Sequence, residues 1–126
     1  MKLQQLFTIN FPIAVIFGST CSFVPALVLK VYGLPVDDAA IWLTRLVGGS
    51  ILGFATLMWF GRKTTWVESR RAIALALLVQ DSVGFIASME IQLRGTINAF
   101  GWTSPILYGA LVIGYAYFLF MRPDDS

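Results

Sequence analysis

The chain has 126 residues, 57% hydrophobic and 13% charged, with nine Lys and Arg against seven Asp and Glu for a net charge of +2. A water-soluble domain carries about 25% charged residues, so this composition speaks against one, and so small a positive surplus gives no ground for a nucleic-acid partner. Histidine is absent and Cys21 is the one cysteine, which removes an internal disulfide, the commonest metal ligand and the commonest general base together.

Four apolar stretches follow one another, each of roughly 17–22 residues, the length a helix needs to cross ~30 Å of hydrocarbon. They predict an all-α integral membrane four-helix bundle in a single domain. The opening Met1-Lys2-Leu-Gln-Gln with Ile13–Phe17 has the look of a signal peptide. The apolar run, however, continues through Val24 and Leu27 to Leu29, longer than a signal core needs, so a retained first helix over 11–31 is expected. Pro12 and Pro25 fall inside it and should bend or shorten it. Gly33-Leu34-Pro35 ends it, and Asp37 or Asp38 can cap a second helix over 39–60. Gly61-Arg62-Lys63-Thr64-Thr65 closes the second. The third covers 72–93, with Gly95 fit for its C-terminal cap. Ser104-Pro105 reads as an N-cap and first turn for the fourth, over 105–121, which Pro123 stops. No internal repeat stands out.

The basic residues predict orientation. Arg62, Lys63, Arg70 and Arg71 lie between the second and third helices, on the same side as Lys2 and Arg122, while Lys30 and Arg94 lie opposite and Arg45 is inside a helix. That bias places both termini in the cytoplasm of a cell with the chain in its inner or plasma membrane. Trp42 and Trp102 would then mark the outer interface, and Trp59, Trp66, Tyr115 and Tyr117 the inner one. The basic connection with Trp66 could also meet anionic lipid heads.

Helices associate in lipid through close backbone approach and a few polar contacts. Small residues offer such faces at Ala14, Gly18 and Ser22 in the first helix, Gly48 and Gly49 in the second, Gly84 and Ser88 in the third, and Ala110 and Gly114 in the fourth. The bland reading is ordinary packing seams; the functional one is a narrow pathway or groove.

Arg45 and Asp81 are the chemically informative positions. By helical rise Arg45 lies roughly 8–9 Å below the outer end of its helix and Asp81 about 14 Å in from the inner end of its own. A charge at such depth costs ~2.5–3.5 kcal/mol on insertion scales and should face the interior. Arg45 shares its face with Asp38, Ile41, Gly48, Gly49, Leu52 and Thr56, and Asp81 with Ala74, Leu77, Gly84, Phe85, Ser88 and Gln92. An Arg45–Asp81 pair is therefore expected, with Gln80 or Thr44 alongside, either as a static clamp or as a proton- or ion-responsive site. Glu90 points away.

Cys21, between Thr20 and Ser22, reads as packing. Gly48-Gly49-Ser50 is in mid-helix and makes no phosphate loop, and no serine sits in a nucleophile motif. No metal or cofactor site is indicated, and no enzyme machinery is visible. The run Arg45-Leu-Val-Gly48-Gly49-Ser50-Ile-Leu-Gly53 resembles a pattern in small four-helix bacterial membrane proteins, the DoxX-like proteins, over these nine residues. The resemblance implies a bundle of similar size and no particular activity. The small multidrug transporters differ, since they need a Glu in the first helix, which here has no carboxylate. The expected role is a non-catalytic accessory subunit of a larger membrane complex, in contact with lipids and with other subunits or copies of itself. A small oligomeric transporter or channel using Arg45 and Asp81 is the alternative, and a membrane enzyme for lipid-soluble substrates the third reading.

Overall fold

The computed structural model describes residues 2–121. Within that span the regular elements are α1 (Leu3–Phe23), α2 (Pro25–Val31), α3 (Asp38–Gly61), α4 (Val67–Leu93), a 3₁₀ turn (Ala99–Trp102), α5 (Thr103–Ala116) and a π-helical last turn (Tyr117–Met121). Leu3–Phe23, Asp38–Gly61, Val67–Leu93 and Ala99–Met121 are each long and apolar enough to cross a membrane. The chain is thus a small all-helical, multi-pass membrane protein. Arg122 and Pro123, used above for orientation and as a helix stop, lie outside the described residues.

Several boundaries differ from those expected. The first helix starts at Leu3 rather than near residue 11, because Leu3, Leu6, Phe7, Asn10 and Ala14 recur at helical spacing and are buried. It ends at Phe23: Pro25 cannot donate to the preceding turn, and Val24 leaves helical geometry at φ −132°, ψ 56° before α2 restarts. The third spanning helix begins at Val67, because Glu68, Ser69, Arg70 and Arg71 extend it past the hydrocarbon as a polar turn. Asp37 caps α3 by accepting the Ala40 N–H at 2.8 Å. Gly33 and Gly95 both sit at φ +74°, the left-handed position that closes a helix. Ser104 lies inside the first turn of α5, not before it.

The termini of the described chain and the 62–66 connection define a basal end; the 32–37 and 94–98 connections define a distal end. α1 packs chiefly on α3, and α4 on α5. The first pairing is fixed by backbone approach: a Cβ on Gly48 would stand 2.7 Å from the Gly18 carbonyl oxygen. The second is fixed by rings over glycines, with Tyr108 against Gly84 and Phe85 against Gly109. The two pairs join at the basal end. There Leu3, Leu6, Phe7, Met58, Leu77 and Tyr115 belong to one buried core, Leu6 fits against Gly114, and Phe7 and Ile73 fit against Gly61. Arg71 Nη2 donates to the Leu119 carbonyl at 2.7 Å, supplying a partner in the last turn, where intrahelical donors run out.

Candidate functional site

Where the pairs part, toward the distal end, the bundle encloses a cavity of about 350 Å³. Its wall is largely apolar, from Ile13, Phe17, Phe54, Leu107 and Leu111 among others, with Asp81 and Gln80 on α4, Asn10 on α1 and Tyr108 on α5. The volume falls within the roughly 300–1,000 Å³ of small-molecule sites, which share this mix of apolar wall and few polar groups.

Asp81 is 3% exposed. Its Oδ2 is buried with no hydrogen-bond partner. Asn10, equally buried, donates from Nδ2 to the Tyr115 hydroxyl at 2.8 Å, tying α1 to α5 beneath the cavity. At the distal rim the Tyr32 and Ser104 hydroxyls lie 2.9 Å apart. Above them Asn98 donates through Nδ2 to the Val31 carbonyl at 2.8 Å and through its backbone N–H to Tyr32. These bonds latch the end of α2 to the approach to α5. Below the latch the wall is open sideways: Ile16 and Leu27 on one flank and Phe100 on the other line the cavity yet are 68%, 55% and 50% exposed. The side chains at that opening are apolar, with Ile16 inside the first span, Phe100 at the start of the fourth and Leu27 in α2 beyond the first.

The expected Arg45–Asp81 pair is not formed. Arg45 is exposed, and no ion pair joins it to Asp81 among the described residues. The reason is helical phase. The buried positions of α3 are Gly48, Ile51, Ala55, Met58 and Gly61, a stripe that extends back through half-buried Thr44 rather than Arg45. Thr44 bonds its own helix at Ala40, and Gln80 reaches the cavity. Glu90 pairs with Arg94 at 2.8 Å on the surface.

The other singled-out residues divide in the same way. Ala14, Gly18 and Gly48 are buried, and Ser22 packs against Gly48, whereas Gly49 has open space where a Cβ would stand. Gly84 and Gly114 receive Tyr108 and Leu6; Ser88 bonds back to the Gly84 carbonyl; Ala110 is exposed. Trp42, Trp59, Trp102 and Tyr117 are all exposed. The Arg62 guanidinium lies 3.7 Å over the Trp59 ring, and Phe11 meets that ring at 4.9 Å. Tyr115 does not belong to the interfacial belt: it is fully buried in the core. Its spacing with Tyr108, Leu111 and Phe118, and that of Asn10 with Leu3, Phe7 and Ala14, is the sequence signal that identifies both as interior. Cys21 is buried. Among the described residues no cluster of His, Cys, Asp and Glu is arranged to hold a metal. No family model, curated protein or solved structure matches the chain.

Proposed function

We propose that the chain is a non-catalytic, membrane-embedded binding protein for small lipid-soluble molecules, which load from the bilayer through the opening beside Ile16, Leu27 and Phe100. The observation that carries this reading is the apolar cavity with Asp81 unpartnered on its wall. A buried carboxyl with no partner is costly, and such groups in membrane interiors mark binding sites or pathways by default. The test is saturable binding of a small hydrophobic fluorophore to the chain in lipid nanodiscs. Thr20 lines the cavity and its hydroxyl is spent on the Ile16 carbonyl at 2.7 Å, so Thr20→Phe should fill the space, leave the thermal transition nearly unmoved and abolish binding. Undiminished binding by that variant would refute the reading. Asp81-dependent flux in liposomes would extend it to transport.

A second role, as an accessory subunit or a homo-oligomer, is favoured by Arg45. It is exposed within a spanning helix, with open space at Gly49 and Gly53 along the following turns. A neighbouring helix offering a carboxylate there would relieve the cost of a charge at that depth. Native mass measurement tests it: a monomer without larger subunits speaks against it. Kinship with DoxX-like proteins rests on residues 45–53 alone. For orientation, the basic residues near the basal end support cytoplasmic termini in an inner or plasma membrane. A cysteine placed at Thr65 should then resist an impermeant thiol reagent added outside cells, and one at Thr96 should react.

A further inference from the structure

We infer that the cavity takes a lipid-soluble monocation, an apolar body carrying one protonated amine that pairs with Asp81. The inference rests on the binding reading above and names its ligand.

The wall carries one formally charged side chain, Asp81, and no Lys or Arg. Arg45, the one base inside a spanning helix near this level, turns away. Much of the neutral polar complement is already engaged. Asn10 is bound to Tyr115, Tyr32 to Ser104, Thr20 to the Ile16 carbonyl and Thr103 to the Phe100 carbonyl at 2.9 Å. What is left over is the Asp81 carboxylate, whose buried Oδ2 has no hydrogen-bond partner, together with the neutral Gln80 amide and Tyr108 hydroxyl, so that the one charged group still to be satisfied is an acceptor. An ammonium N–H is the donor that satisfies it most strongly, because a charge-assisted bond exceeds a neutral one. The resulting pair is neutral overall whichever partner holds the proton, so it suits a site near the bilayer midplane. Tyr108, whose ring packs against Gly84 one turn along α4 from Asp81, also lines the cavity, so an aromatic ring stands near the carboxylate.

The same inventory rejects other ligands. An anion would meet a like charge and no base. A dication would leave its second charge unpaired among Phe17, Phe54 and Leu111. A neutral alcohol can bond to Asp81 but lacks the charge assistance.

The experiment compares three probes of one shape on the chain in phosphatidylcholine nanodiscs, with empty nanodiscs as the partition background: 1-naphthylmethylamine, 1-naphthalenemethanol and 1-naphthoate. The amine should bind about tenfold or more tightly than the alcohol, and the naphthoate more weakly than both. Asp81→Asn should bring the amine down to the level of the alcohol while the alcohol is little changed. Equal affinity for amine and alcohol in the unmodified chain would overturn this inference and leave the binding reading standing. Absence of saturable binding by all three would overturn both. The comparison on the unmodified chain decides the matter even if Asp81→Asn fails to assemble.

Discussion

At the basal end Leu3, Phe7, Leu77 and Tyr115 have no exposed surface, whereas at the distal end Ile16, Leu27 and Phe100 are half or more exposed while lining a cavity. Both ends are apolar, so hydrophobicity does not explain the difference. In lipid, apolar surface gains nothing by turning inward, and helices close only where side chains and backbone fit. The basal end has that fit, with Leu6 on Gly114 and Phe7 and Ile73 on Gly61. The distal end loses it because Pro25 breaks the first helix and Val24 redirects the chain into α2. The space so left holds Asp81, and its rim is kept by the hydrogen bonds of Tyr32, Ser104 and Asn98 rather than by packing.

This contrast can be broken by substitution. Phe7→Ala should cost about 3–5 kcal/mol as a core truncation, read by titrating folded protein with a denaturing detergent, while Leu107→Ala at the cavity wall should cost under about 1 kcal/mol, since its surroundings are open. Equal costs would mean that the two ends are packed alike. Gly48→Leu should separate α1 from α3 and cost about 1–3 kcal/mol or more, whereas Gly49→Leu, which meets no neighbour, should stay within about 0.5 kcal/mol. A smaller effect, about 1 kcal/mol, is expected for Tyr115→Phe, which removes the buried bond from Asn10. Ser104→Ala should cost about 0.5 kcal/mol. If it also speeds probe release from the cavity by fluorescence, the Tyr32–Ser104 latch limits exit; if release is unchanged, the opening below it is the route.

The four spans were legible in the sequence because composition and length carry that information. The helix breaks at Gly33 and Gly95 were legible as well, since few other residues suit φ +74°. Helical phase was not. α3 offers small residues at both Gly48 and Gly49, and with lipid outside and side chains inside, its two faces differ little in hydrophobicity. A one-residue choice of stripe therefore moved Arg45 from interior to exterior. The basal part of α1 was hidden for a related reason: Gln4, Gln5, Thr8 and Asn10 lower its apolar content, although Leu3, Phe7 and Asn10 keep helical register with Ala14. Asp81 shares its face with Ala74, Leu77 and Gln92, all buried, and that company is the signal in the sequence for its burial. A cavity beside it was not readable, because a cavity is a property of four helices together and no single segment records it.

The central claim is that Asp81 faces a space reached from lipid. Carbodiimides attach covalently to carboxyl groups, and their solubility decides which ones they meet. A lipid-soluble dialkyl carbodiimide added to the reconstituted chain should label Asp81, as located by mass analysis of fragments, and Thr20→Phe should prevent it; a water-soluble carbodiimide should label exposed Asp37, Asp38, Glu68 and Glu90 and spare Asp81. Asp81 left unmodified by the lipid-soluble reagent, or labelled equally by the water-soluble one, would contradict the account.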